Sequence, residues 1–402
     1  MTLLDVDLLD PQVHATRDLA GVFAWLREYE PVHWHGGEPG FWSVTRHADV
    51  MKIVRDAHRF TSLRGNMLGT LLRGHDPGAG KMLVVSDGPY HKALRRLLMS
   101  GFGPRFLGPI TQSIAQATTT QLKALIARGG GDFVSEVAAQ VPLQAICELL
   151  GVPAHDRDRI LELTNSAMLA VPPGEAMSSV ARVAQSELLL YYISLAAERR
   201  DAPGSDIVSL LVQGEVDGRK LTEEEVLLNC YNLIIGGDET ARLAMAGGLL
   251  ALIEHPAQWA RLRSDAALID SAVEEILRWT TPARHVGRTV VADTEVGGCT
   301  LRAGDVVALW NIAANRDPAV FSDPEVFDVA RTPNRHVTFG YGPHFCIGAQ
   351  LARAEIRAML TELRTTVSAI ELAGDVTRIP STFITGLERL PVSFEPIGGQ
   401  GG

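Results

Sequence analysis

The chain has 402 residues, 46% of them hydrophobic and 21% charged, with a formal net charge of -10. That length supports a large buried core, and the composition is that of an ordinary globular protein rather than a disordered or fibrous one. The acidic balance argues against nucleic acid or an anionic membrane surface as the main partner.

The first residues carry Asp5, Asp7 and Asp10 and no early Lys or Arg, so no positively charged signal segment is recognised there. Residues 1 to about 19 read as an N-terminal extension. The longest unbroken apolar run, 243–253, is far short of the roughly 20 residues a membrane span needs. A cytoplasmic location is expected. Cys147, Cys230, Cys299 and Cys346 are scattered without a C-x-x-C pair, which argues against a disulfide framework or zinc site. Such cysteines default to small buried hydrophobes, the expectation for Cys147, Cys230 and Cys299.

Helical periodicity dominates. A long helix is predicted from Thr222, with Glu225 at capping-box spacing, to Glu254, ahead of His255-Pro256. At 1.5 Å per residue it spans about 50 Å. Inside it Gly236-Gly237-Asp238-Glu239-Thr240 is locally anomalous, because each glycine costs about 1 kcal/mol against Ala and two acids interrupt an apolar stretch. The glycines permit close approach of a flat group, and Thr240 can bond the carbonyl four residues back, loosening the helix ladder. A second helix over 264–279 puts Leu268, Ile269, Ala272, Val273, Ile276 and Leu277 on one face. Glu275 and Arg278 share a face of it, a spacing equally suited to a surface ion pair. Residues 288–309 alternate and are rich in Val and Thr, with turns at Gly297-Gly298 and Ala303-Gly304, and read as short strands. A third helix is predicted over 347–364 and a hairpin over 383–394. The sum is a mainly α chain with a small β portion. No boundary divides it, so a single domain over 1–402 is expected, with a disordered tail over 396–402.

Just before the third helix stands Phe339-Gly340-Tyr341-Gly342-Pro343-His344-Phe345-Cys346-Ile347-Gly348. Its glycines allow positive φ and close backbone approach. Cys346 falls at a helix start, where free N–H groups and the dipole favour a thiolate. A thiolate there offers a metal one axial position. With no other Cys or paired His nearby, the remaining coordination falls to a macrocycle, and haem fits. On this segment alone, a glycine turn with a buried Cys is the alternative.

The segment resembles the haem-binding signature of the cytochrome P-450 family. Further stretches resemble the same family in the same order: Asp87 to His91 with Arg95, then Gly236 to Thr240, then Glu275-Ile276-Leu277-Arg278. Ala314-Asn315-Arg316-Asp317-Pro318, and Phe327-Asp328 with Arg331, Pro333, Asn334 and His336, match its bacterial soluble branch. The resemblance runs from about residue 20 to 394. It implies the P-450 fold, with haem b between a long central helix and the Cys-loop helix and Cys346 on the iron. It implies Glu239 and Thr240 as an acid–alcohol proton relay to O2. His91, Arg95, Arg288 and His336 are implied to hold the haem propionates, with Gly236, Phe339, Gly340 and Gly348 also at the haem. Glu275, Arg278 and Arg331 are implied as a buried scaffold.

A substrate pocket is implied from residues 61–83, 168–177, 283–286 and 383–385, with Asn232, Ile235, Gly236, Val286 and Ile384 as contacts. Met67, Met82, Met168 and Met177 would form an adaptable apolar wall. Asn232 either orients a polar group of the substrate or bonds its own helix. Electrons are implied to come from an external ferredoxin and its NAD(P)H-dependent reductase, docking beside Cys346, where Lys92, Arg96 and Arg353 form a candidate basic patch. The implied activity is a monooxygenase inserting one oxygen atom from O2 into a small organic substrate, by hydroxylation or epoxidation, in secondary-metabolite tailoring. Oxidative coupling, desaturation and a haem-thiolate sensor without turnover are the alternatives. A monomer with no nucleic-acid or membrane partner is expected. Asp238 stands where the family often has an apolar residue or His, which leaves its effect on the proton relay open.

Overall fold

The long helix forms where its capping signals place it. In the computed structural model, which describes residues 6–16, 19–167 and 178–398, it runs Glu223–Glu254. Thr222 Oγ1 accepts from the Glu225 N–H at 3.2 Å and Glu225 Oε2 accepts from the Thr222 N–H at 2.7 Å. Pro256 opens the next helix, where its missing N–H costs nothing. Val226, Cys230, Ile234, Leu243, Met245 and Leu249 are all essentially buried, so this helix runs through the core. Helices Gln140–Leu150, Ile269–Thr280 and Ala349–Thr366 pack around it.

Two helix boundaries differ from the sequence reading. The second helix begins at Ile269 rather than 264, because Asp265 Oδ1 accepts from the Ala267 N–H at 2.9 Å and sets a separate tight turn over Ala266–Leu268. The third begins at Ala349 and reaches Thr366, because the Cys loop occupies the residues before it.

The strands of 288–309 form as predicted, slightly extended. His285–Val290 pairs antiparallel with Val306–Trp310, which runs parallel to Phe41–Val44. Val32–His35 and Phe60–Thr61 close the two edges of this sheet. Thr294–Val296 and Cys299–Leu301 form a separate small hairpin. The hairpin expected over 383–394 does not form. Leu387–Arg389 pairs with Thr377–Arg378, whereas Pro391–Pro396 lies between Val367–Leu372 and Gly130–Asp132. The switch occurs at Leu390, whose N–H bonds Asp132 Oδ1 at 2.8 Å and whose carbonyl accepts from the Phe133 N–H at 3.0 Å. Cys147 and Cys230 are buried as expected; Cys299 is only half-buried, its thiol 3.5 Å from the Val32 carbonyl. Among the described residues no helix is long and apolar enough to cross a membrane.

Candidate active site

The start of the Ala349–Thr366 helix, the middle of the central helix, the helix Gly88–Ser100 and the strand His285–Val290 enclose one cleft. Cys346 lies on its floor. Gly340 at φ 65° and Gly342 at φ 70° turn the chain, and a side chain at Gly342 would press within 3.0 Å of the Val54 carbonyl. The Cys346 N–H closes the loop on the Phe339 carbonyl at 2.9 Å. Its thiol opens onto the cleft rather than onto bulk water. Burial raises the thiol above its ordinary pKa, against the pull of the Gly348 N–H and of Arg95 and Arg353. The helix-start pull expected from the sequence is present in the Gly348 N–H, but burial outweighs it.

One rim of the cleft is cationic. Arg95 Nη2 donates to the Phe345 carbonyl at 2.6 Å, and Arg288 Nη1 to the Gly287 carbonyl at 2.7 Å. Neither pairs with a carboxylate. Burial lowers Arg288 to about 10, which still leaves it charged at neutral pH, and Asp87 opposes the shift. His91 is buried with no partner on Nε2, and burial, then His344 and Arg95, lower it to about 4. Its ring lies 4.3 Å from that of His344. His344 Nε2 meets Asp87 Oδ1 at 2.9 Å. Burial would raise Asp87, but the bonds from His344, from Thr61 Oγ1 at 2.6 Å and from the Ser62 N–H at 2.7 Å outweigh it.

His336, expected on this rim, is elsewhere. Its Nε2 sits 3.1 Å from Glu274 Oε2, outside the cleft. The side chain that joins His91, Arg95 and Arg288 is His344. The signal for it was present in the sequence, as the His of F-G-x-G-x-H-x-C, two residues before the Cys.

On the opposite wall, Thr240 Oγ1 donates to the Gly236 carbonyl at 3.1 Å, the loosening bond expected of it. A side chain on Gly236 would meet nothing within 4 Å, so this glycine faces open cleft. Gly237 is glycine for another reason: a Cβ there would lie 2.8 Å from Ile146. Glu239 points away from the cleft and pairs with Arg242, which in turn donates to Asn165 Oδ1 at 2.9 Å.

Asn232 and Val286 line the cleft with Asn66, Leu83 and Phe383. The Asn232 side chain makes no bond to its own helix. Ile235 and Ile384 do not line it. Ile235 lies on a different helix face, packed on the core, and Ile384 is buried, bridging to Ala283. Residues 168–177, with Met168 and Met177, lie outside the described residues. Met67 and Met82 are not on the cleft wall.

Behind the Cys loop Glu275 and Arg278 are both fully buried and joined by bonds of 2.8 Å. Arg331 Nε adds bonds of 3.1 and 3.2 Å to the same carboxylate. Lys92 and Arg96 are exposed beside this face, but Arg353 is held by Glu274 at 2.6 and 2.9 Å and is not a free surface charge.

A profile of the Cytochrome P450 family matches residues 12–365. The chain belongs to the cytochrome P450 family. It is 42% identical to Cytochrome P450 NovI of Streptomyces niveus, across 97% of this chain and 96% of NovI. It is 33% identical to a Steroid C26-monooxygenase of Mycolicibacterium smegmatis, across 98% of each chain. Among solved structures, P450 OxyD, involved in the biosynthesis of vancomycin-type antibiotics, superposes with a TM-score of 0.87 at 35% identity, over 97% of this chain and 100% of that one. A Mycobacterium marinum cytochrome P450 in complex with pseudoionone gives 0.89 at 34%, over 97% and 98%. The P450 fold and its oxidoreductase class follow, and with them haem and dioxygen. The residues present fit a haem. A thiol faces the cleft, Arg95 and Arg288 lack acid partners, His91 Nε2 has none, and Gly236 leaves the facing wall bare.

Proposed function

We propose that this P450 is a haem-thiolate monooxygenase that inserts one oxygen atom from O2 into a small organic substrate, by hydroxylation or epoxidation, in the tailoring of a secondary metabolite. The observation that carries this reading is the convergence of the Cys346 thiol with the acid-free cations Arg95 and Arg288 on one cleft. Bound there, haem supplies the activation of dioxygen and the oxygen-atom transfer. Cys346 would hold it as thiolate, with the Gly348 N–H and Arg95 stabilising the charge. Arg95, Arg288, His91 and His344 would bind its two carboxylates. Phe339, Gly340 and Gly348 line the cleft beside Cys346 and would hold it there, and Gly236 leaves the facing wall bare.

Thr240, on the cleft wall, would position a proton donor in the cleft. Glu239, paired with Arg242, would take protons from the Asn165 side and pass them inward. Asn232 and Asn66 are polar groups lining the cleft with the apolar Leu83, Val286 and Phe383, and would orient the substrate against them. The likeness to OxyD supports an antibiotic-type tailoring context. Electrons would come from a ferredoxin and its NAD(P)H-dependent reductase, docking over Lys92 and Arg96. The test is direct. Reduced wild-type protein with carbon monoxide should give a thiolate-type spectrum that Cys346→Ser loses, and compounds that shift the iron spin state should be converted to oxygenated products. A wild-type protein purified without porphyrin, or an unchanged spectrum in Cys346→Ser, refutes the assignment.

A further inference from the structure

Two kinds of asparagine stand side by side near the cleft. Asn229 and Asn232 follow each other on the central helix, and Asn311 and Asn315 follow the strand Val306–Trp310. Asn229 Oδ1 accepts from the Leu83 N–H at 2.9 Å, and its Nδ2 donates to the Lys81 and Glu225 carbonyls at 2.9 and 2.7 Å. Asn315 is bonded as fully, Nδ2 to Thr281 Oγ1 and Thr338 Oγ1 at 2.9 Å and Oδ1 from the Val337 N–H at 2.7 Å. Both are buried structural amides. Asn232 and Asn311 instead line the cleft, together with Asn66. The side chains of Asn232 and Asn66 have no hydrogen-bond partner. Asn311, only 2% exposed, has a single long contact, from Nδ2 to the Ala283 carbonyl at 3.4 Å.

Their backbones hold the three in place. Asn232, Gly236 and Thr240 are spaced by four along the central helix and share its cleft face. The Asn66 carbonyl accepts from the Gly287 N–H at 2.7 Å. Gly287 has to be glycine, because a Cβ there would lie 2.4 Å from Leu71 and 3.4 Å from that carbonyl. The Ile312 N–H bonds the Arg284 carbonyl at 3.1 Å, which fixes Asn311 at the other end of the same stretch, 283–287. Ala283 and Val286 of that stretch also line the cleft. Enclosed amides are normally bonded, because an unmade bond leaves the cost of desolvation uncompensated. The ionisable groups on the described lining are otherwise engaged. Arg95, Arg288, His91 and His344 would bind the haem carboxylates, and burial holds Glu355 towards its neutral form. What remains for a substrate is uncharged: three amides that both donate and accept.

We propose that Asn66, Asn232 and Asn311 are the specificity-determining residues of the cleft, and that they select a neutral substrate carrying a carboxamide or hydroxyl group over a hydrocarbon of the same shape. This rests on the monooxygenase reading and names the substrate class for it. The polar group of such a substrate supplies the donors and acceptors that the fold withholds from these amides, while Leu83, Val286 and Phe383 pack its apolar part. A plain hydrocarbon strips water from the same amides and returns no bond. Losing one such bond, with the amide left unpaired, weakens binding roughly 10- to 100-fold. A site built to bond a substrate O–H or N–H discriminates more strongly still against the analogue that lacks it.

Spin-state titration of the haem-loaded protein provides the test. The probes are a homologous series of phenylalkanes, each with and without a terminal carboxamide or hydroxyl group. In the wild type the polar member of a pair should bind about tenfold or more tighter than its hydrocarbon. Asn232→Leu, Asn66→Leu and Asn311→Leu should each weaken the polar member and tighten the hydrocarbon, so that the preference narrows or reverses, while the carbon monoxide spectrum stays thiolate-type. A merely structural asparagine would weaken both members alike. Hydrocarbons that bind the wild type as tightly as their polar partners overturn the proposal. So does a series in which no polar member shifts the spin state, or leucine variants that keep the wild-type preference. A wild type without the thiolate-type spectrum instead sinks the underlying monooxygenase reading. If Asn311→Leu fails to fold, Asn232→Leu and Asn66→Leu decide the matter.

Discussion

Glu275→Gln tests the scaffold behind the Cys loop. The carboxylate sits between two buried guanidinium groups, Arg278 and Arg331, and also accepts from the Asp328 N–H at 2.9 Å and Asn334 Nδ2 at 3.0 Å. Gln keeps the shape but removes the charge, and its amide N–H groups face donors. Breaking one partner of a buried pair costs about 3–5 kcal/mol, because the remaining charge stays desolvated. With an unfolding entropy of about 2.1 cal/mol/K per residue, a chain of 402 residues should melt roughly 4–6 °C lower. The damage should also reach the haem. Arg278 Nη1 holds the Asn315 carbonyl at 3.0 Å, and Asn315 holds the Val337 N–H at 2.7 Å and Thr338 Oγ1 at 2.9 Å, next to Phe339 and the Cys loop. The haem-to-protein absorbance ratio after purification should therefore fall together with the melting temperature. Glu325→Gln is the control, since Glu325 is half exposed and its pair with Arg316 should contribute about 0–1 kcal/mol. Full haem incorporation in Glu275→Gln, with a melting point within 1 °C or so of wild type, would refute the reasoning.

Three further outcomes are expected. His344→Phe should lower haem retention, whereas His336→Phe should leave it near wild type and disturb only the Glu274–Arg353 contact; the reverse order in absorbance ratios would restore His336 to the rim. Asp238 rises from 3.8 to about 7 on folding, so the native state holds its proton more tightly and stability falls as pH rises through that window. Asp238→Asn should remove this slope, gaining up to about 4 kcal/mol on wild type between pH 4 and pH 8 in denaturant titrations, and equal slopes would contradict the shift. Turnover with a ferredoxin should weaken as ionic strength rises if Lys92 and Arg96 receive it, and Lys92→Glu with Arg96→Glu should flatten that dependence. A wild-type rate independent of salt removes the patch.

The sequence alone determined what short-range chemistry controls. The Thr222–Glu225 box and Pro256 delimit the central helix, glycines at 297, 298 and 304 mark the strand turns, and Gly340 and Gly342 supply the positive φ of the Cys loop. The Thr240 bond to Gly236 follows from a spacing of four, and the Glu275–Arg278 pair from a spacing of three. What only the tertiary structure decided is direction: which side chains turn into the cleft and which neighbour claims a charge first. Glu239 is taken by Arg242, Arg353 and His336 are taken by Glu274, and Ile235 and Ile384 turn onto the core. Burial, not local sequence, leaves Asp238 and Glu355 unbonded on facing helices 117 positions apart in sequence. The physical reason is range: caps and turns act within a few residues, whereas desolvation and ion pairing depend on whatever the fold brings alongside.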